Sequence, residues 1–251
     1  MNGNTLGILL QQASWRAVDE AKTMGESALS IIEPFSRDQD FAKRQIAMAS
    51  AGAAGGEGAG PILSAGLKDE NVNVRLEAAK ALERDPNPAA TETVLEVLEN
   101  GPDEVVREML ALAAGSLPGN TTVEVLKKVQ EQDLGQISIN AQMALAKLGS
   151  GTAKQTVVAE LSDSLPRTRY DALEKLVYIN DPGLARFAVK LLGDSSPAVQ
   201  IGSVKMPKYR RVCDQAVDTL VTLLKLQVSF RASISIIYPD RDIREVEELV
   251  R

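Results

Sequence analysis

A self-similar period of about 31 residues runs through most of this chain, and a period of that size restricts it to a stacked-repeat architecture. The template is Val74-Arg75-Leu76-Glu77-Ala78-Ala79-Lys80-Ala81-Leu82, in which a Val-Arg pair precedes small residues that share one helical face. One period back, Arg44 is followed by Ala47 and Ser50-Ala51. Forward, the register returns at Val106-Arg107 with Ala111 and Ala113, and at Ile137-Ser138 with Ala141 and Ala144-Leu145. It returns once more at Thr168-Arg169 with Ala172-Leu173 and Leu176.

Each of these helices is preceded by another apolar-periodic segment, such as Thr93 to Leu98, Val123 to Val129 or Leu184 to Leu192, so the unit is a helical hairpin. Breakers divide the hairpins at Asp85-Pro86-Asn87-Pro88, Leu117-Pro118-Gly119-Asn120, Gly149-Ser150-Gly151 and Asn180-Asp181-Pro182-Gly183. Acids mark the turn inside each hairpin. Asp38, Asp69, Asp163 and Asp194 each precede their repeat's Arg44, Arg75, Arg169 or Gln200 position by the same interval, with Asp133 ahead of Ser138 and Asp103 the nearest acid in the third unit. Such aspartates suit the capping of their own second helix and the attraction of a stacked neighbour's arginine. The spacing therefore predicts a ladder built from Asp38, Arg44, Asp69, Arg75, Arg107, Asp163, Arg169 and Asp194. Ser138 stands where an arginine would be, so the ladder is predicted to be weakest or differently made there. A two-helix unit cannot bury its apolar stripe alone, and alanines on the second helix let layers approach closely. That accounts for 44% apolar residues with only 4% aromatic ones.

These residues resemble the HEAT-repeat superfamily, in particular the short bacterial units called phycobilisome-lyase-type HEAT-like repeats. The resemblance rests on Asp69 to Leu82 and on its echoes at Asp38 to Ala51 and Asp163 to Leu176, and it covers roughly residues 14 to 225. It implies an all-α fold, an α-solenoid or superhelix of about six HEAT-like hairpins with a small C-terminal cap. Proteins of this superfamily generally act as binding scaffolds, with the second helices on the concave side. By that analogy Glu77, Glu108, Asn140, Tyr170, Asp171 and Glu174, with Lys43 and Gln142, form a mixed, mostly acidic groove. Such a groove suits a basic peptide or a partner helix. The resemblance also carries an alternative from another class, a bilin lyase or isomerase that handles a chromophore.

The period fails at both ends. Residues 14 to 24 read as a capping helix whose Trp15 plugs the open end of the core. In the sixth repeat Ser196-Pro197-Ala198-Val199-Gln200 arrives on time as the start of a second helix, yet the matching pattern Val212 to Leu220 comes late. An insertion thus lies at about residues 201–211, with Lys205, Lys208, Arg210 and Arg211 and no acid, so that it carries +4 while the rest of the chain carries −10. Departures from a repeat map to loops that carry function, so the insertion is a candidate contact for an acidic patch. Beyond Leu226, Val228 to Tyr238 alternates like a strand that could pair near Val204, and Pro239 to Val250 reads as an Asp-capped helix. The expected organisation is a repeat solenoid over 1–225 and a capping segment over 226–251.

The chemistry this chain lacks is as informative. It contains no histidine and one cysteine, Cys213, which removes His-based triads, disulfide frameworks and Cys-rich zinc sites. Paired acids such as Glu96 with Glu99 or Glu245 with Glu248 read as solvated faces, and Cys213 as a small buried apolar residue. A net charge of −6 with pI near 5.0 disfavours nucleic acid as the main partner. No stretch reaches the roughly 20 apolar residues of a membrane helix. The sequence thus predicts a cytoplasmic, non-enzymatic, protein-binding adaptor without metal or cofactor, using the groove and the basic insertion.

Overall fold

Asp- and Asn-led turns followed by alanine-rich stretches set the elements. In the computed structural model, which describes residues 3–133, 135–203 and 206–251, the chain divides into two compact units, 1–148 and 149–251. The first comprises α1 (Gly3–Gln11), α2 (Arg16–Met24), α3 (Leu29–Ile32), α4 (Phe41–Ala54), α5 (Ala59–Leu67), α6 (Val72–Arg84), α7 (Thr91–Asn100), α8 (Glu104–Ala114), α9 (Asn120–Gln132) and α10 (Gln136–Lys147). The second comprises α11 (Gly151–Glu160), α12 (Pro166–Ile179), α13 (Ala185–Val189), strands β1 (Pro197–Gln200) and β2 (Tyr209–Arg211), α14 (Val212–Leu224) and α15 (Asp240–Leu249). Both are built of helical hairpins, so the fold is an all-α repeat with one small β-ribbon. Whereas the sequence reading divides the chain at 225/226, contacts divide it at 148/149, directly after the repeat that carries Ser138.

In the first unit the even-numbered helices α2, α4, α6, α8 and α10 pack each on the next, as do α5, α7 and α9. Ala47, Ala51, Ala78, Ala81, Ala111, Ala114, Ala141 and Ala144 are all buried between them. The approach is close where α4 packs on α6, since a Cβ added to Gly52 would overlap Ala81. Gly52→Val is therefore expected to force the layers apart and cost about 1–3 kcal/mol, read as a lower urea midpoint.

The ladder is made of side chains that each hold two hairpins. Arg44 Nε and Nη2 donate to Asp69 at 2.7 and 3.0 Å while Nη1 donates to the carbonyls of Asp38 and Gln39 at 2.8 and 3.1 Å. Arg75 repeats the pattern on Asp103 at 2.6 and 3.0 Å and on the Asp69 and Glu70 carbonyls. Arg107 closes a two-pronged pair on Asp133 at 2.9 and 2.6 Å. In the second unit Arg169 reaches Asp194 at 2.8 Å and the carbonyls of Asp163 and Ser164. Ser138 instead turns its hydroxyl to the Gln130 carbonyl of its own hairpin at 2.9 Å. The aspartates do not cap their helices directly. Asp38, Asp69, Asp163 and Asp194 accept the N–H two residues on, and the helix caps proper are residues such as Asp40 and Asn71.

Burial raises the Asp69 carboxyl, but hydrogen bonds from Arg44 and the Asn71 N–H outweigh it and hold the group below its ordinary 3.8. Asp194 is likewise held low: burial is outweighed by the Ser196 hydroxyl and N–H and by Arg169. A folded-state value below the unfolded one gives stability that is complete above the unfolded value and is lost as pH falls through the folded one. Urea midpoints should therefore hold above about pH 5 and drop as pH falls through and below 3.8, and the drop should be smaller in Asp69→Asn.

Three expectations from the sequence are corrected. Trp15 does not plug the core: it is 54% exposed, because Leu6 and Leu10 of α1 already fill that end. Pro197–Gln200 is a strand rather than the start of a helix, pairing antiparallel with Tyr209–Arg211, since this register delivers the Arg210 guanidinium to buried acceptors. Residues 228–238 form no strand. Their alternation leaves Ile234 in solvent, and side chains hold the backbone instead: the Ser229 N–H donates to Glu245 at 2.6 Å and the Tyr238 N–H to Asp214 at 2.9 Å. The second unit is completed by α12, α13 and α15, which pack on α14.

Candidate functional site

Successive residues of a strand point to opposite faces, and β2 uses that alternation to set its basic pair. Tyr209 faces solvent, whereas Arg210 is 0% exposed. Arg210 Nη1 donates to Tyr170 Oη at 3.0 Å, to the Ile234 carbonyl at 2.7 Å and to Gln215 Oε1 at 3.4 Å, and Nη2 donates to Asp218 at 2.6 Å. Its Nε finds no acceptor among the described residues. The other Asp218 oxygen accepts from Tyr238 Oη at 2.6 Å, and that hydroxyl oxygen accepts the Ser233 N–H at 2.7 Å. Burial, and then the hydrogen bond to Asp218, push the Tyr238 phenol well up. Arg211 clasps Asp214 through Nε and Nη2 at 3.1 and 2.8 Å and the Tyr238 carbonyl at 2.6 Å. One network thus ties the insertion, α12, α14 and the C-terminal segment together.

Arg210 is therefore not a surface contact, while Arg211 is partly exposed but held by Asp214. A guanidinium out of reach of solvent cannot meet a partner, and the negative charges facing both are Asp218 and Asp214. Of the insertion's other two cations, Lys208 is exposed and Lys205 lies outside the described residues. What the ribbon presents is apolar as well as basic: Ile201, Met206 and Tyr209 are exposed beside Lys208, with the Ile201 N–H donating to the Lys208 carbonyl at 2.8 Å.

The groove candidates fall into both units. Glu77 on α6 pairs with Lys80 at 2.9 Å, and Glu108 on α8 is half-buried. Asn140 is buried, donating to the Glu108 carbonyl at 2.9 Å and accepting from Gln136 at 2.7 Å, so it cross-links α8 and α10 rather than facing a groove. Tyr170 is buried under Arg210. Asp171 pairs with Arg167 at 2.8 Å, while Glu174 is exposed, its carboxyl raised by partial desolvation and by Asp171. Sequence reasoning missed Asp214, Asp218 and Tyr238. The available signal was two acids four apart on one helical face directly after an Arg-Arg pair.

Cys213 is buried, and desolvation pushes its thiol up to about 11, so it is protonated at neutral pH. It borders an open cleft of about 300 Å³ lined also by Leu192, Arg211, Asp240 and Arg244. No set of three or more metal-binding side chains occurs among the described residues. Nor is any described helix long and apolar enough to cross a membrane.

Residues 60–146 match the family of HEAT repeats. No curated protein sequence matches the chain. Among solved structures, the complex of CpcE and CpcF of phycocyanin lyase from Nostoc sp. PCC7120 aligns over 100% of this chain and 95% of that one, at 16% identity and TM-score 0.62. An archaeal HEAT-like repeats protein from Thermococcus onnurineus NA1 aligns over 100% of this chain and 97% of that one, at 17% identity and TM-score 0.44.

Proposed function

We propose that this HEAT-repeat protein is a non-enzymatic scaffold or adaptor that binds another protein through its second-helix face and the tip of its inserted ribbon. The observation that carries this reading is the contrast within the ribbon. Its root is locked by Arg210 and Arg211, while its tip holds Ile201, Met206 and Tyr209 in water beside Lys208. Apolar anchors and a cation beside a locked root meet the requirements of a contact element at low ordering cost. Its complement is an acidic patch around an apolar pocket. The reading includes a bacterial cytoplasm, where a buried, reduced Cys213 is at home.

Affinity capture from host lysate with the wild-type chain and with Met206→Asp/Lys208→Glu tests it. A stoichiometric partner retained by the first and lost by the second is expected, more completely at moderate salt than at low salt. An identical set of captured proteins from both would overturn it. A second reading, chromophore handling, is supported by the cleft beside Cys213, whose Arg244 suits the carboxylates of a bilin. Visible absorbance that stays with the chain after co-expression with bilin synthesis would favour that reading.

A further inference from the structure

Each even-numbered helix of the first unit begins with an exposed large apolar side chain. Trp15 precedes the first residue of α2, Phe41 and Val72 open α4 and α6, Val105 is second in α8 and Ile139 lies in the first turn of α10. Their exposures are 54, 45, 46, 52 and 41%. Scattered apolar residues on a surface need no explanation, but one at or within a turn of the N-terminus of each of five stacked helices is a patterned patch. It takes the chain's single tryptophan and one of its four phenylalanines. The ladder aligns this corner, because Arg44–Asp69, Arg75–Asp103 and Arg107–Asp133 join the turns that lead into successive helices.

The charges beside the row have a sign. Lys43 is held by Asp38 at 3.3 Å, and Arg44, Arg75 and Arg107 are held in the ladder. Arg16, next to Trp15, is the one cation of these first turns without an ion pair among the described residues. Asp40 and Glu104 stand exposed, and Glu70, 87% exposed at its side chain, touches Arg44 only at 3.3 Å. The row is a line of apolar knobs with a negative border.

Spacing selects the conformation of what lies on it. Packed helices sit about 8–10 Å apart, and a helix rises about 1.5 Å per residue, so a helix laid across the row meets a new knob about every five to seven residues, and of these spacings only seven returns to the same face. An extended strand covers the same step in about three residues. With an odd step its alternate side chains would point away.

We infer that this row docks an amphipathic helix of another protein, with apolar residues every seven positions and Lys or Arg between them. The inference rests on the scaffold reading and names the partner chemistry of its second-helix face.

The test uses the full chain and a synthetic helical peptide of roughly 30 residues, long enough to span the five knobs at heptad spacing, with Leu at heptad spacing and flanking Lys. A peptide of the same composition with Leu at five-residue spacing and one with Glu for Lys are the controls. Trp15 emission and labelled-peptide anisotropy report binding. The heptad peptide should bind and shift Trp15 emission, more strongly at low salt, and both controls should fail. Val72→Asp/Val105→Asp should weaken binding at least about tenfold, with circular dichroism and melting unchanged because both side chains are exposed. Equal binding of the five-spaced peptide, no binding of the heptad peptide, or indifference to the double variant overturns the inference. So does self-association of the wild type that the double variant abolishes, which would make a second copy the occupant. If the peptide fails while tip-dependent capture persists, the scaffold reading stands without this surface; if both fail, both readings fall.

Discussion

Arg210→Met is expected to lower unfolding free energy by about 3–5 kcal/mol, the cost of leaving a buried charge without its partner. The substitution keeps much of the side-chain volume, so cavity formation contributes little. What it removes is the donor set for Asp218, Tyr170 Oη and the Ile234 carbonyl, all buried or partly buried. Because Arg210 Nε is already unsatisfied, the network has no reserve to offer. Lys208→Met, two residues away on the exposed side, should change stability by no more than about 0.5 kcal/mol. Asp218→Leu added to Arg210→Met should restore part of the loss, since an apolar replacement for both partners costs less than a stranded carboxylate. Urea unfolding of the two single variants and the double variant measures this. Equal losses for Lys208→Met and Arg210→Met would show that burial of Arg210 has been misassigned.

Arg75→Met should cost about 2–4 kcal/mol, in line with a partly buried, two-pronged charged pair and two further bonds to carbonyls. Four hydrogen bonds radiate from one guanidinium and join the turn before α6 to Asp103 at the start of α8. In a stacked repeat each interface is a separate energy term, so the loss should be local as well as global. Amides of α7 and α8 should exchange faster than those of α12 and α14 in the other unit. Arg75→Lys should recover little, because a single ammonium cannot span both carboxylate oxygens and both carbonyls. Hydrogen exchange with a single, uniform acceleration along the whole chain would contradict the picture of independent joints.

The sequence carried the repeat because the same physical task recurs at each layer. An arginine must find an acid one hairpin on, and a small residue must stand where helices cross, so Arg44, Arg75, Arg107 and Arg169 and their alanines recur at fixed spacing. The ladder's arginines recur at that spacing, whereas Asp103 and Asp133, which Arg75 and Arg107 hold, stood outside the expected set; Ser138 marked the repeat after which the contacts divide. Nothing periodic announced the second unit's network. Asp218, Ile234 and Tyr170 meet Arg210 once, across chain separations of 8 to 40 residues, and Tyr238 joins through Asp218. Charge counting therefore placed Arg210 on the surface with the rest of the insertion's net +4.

The exposed apolar corners show the same division from the other side. Phe41, Val72 and Val105 are visible in the sequence as apolar residues just ahead of the ladder arginines, where any helix reading would bury them. Only packing decides that the first turns of successive helices stay uncovered. By itself the sequence determined the helical hairpin, its period and the joints between layers, because those depend on contacts repeated at constant separation. The tertiary structure alone decided which charges are buried and which apolar side chains are left to water, because burial is set by every neighbour at once and not by the local pattern.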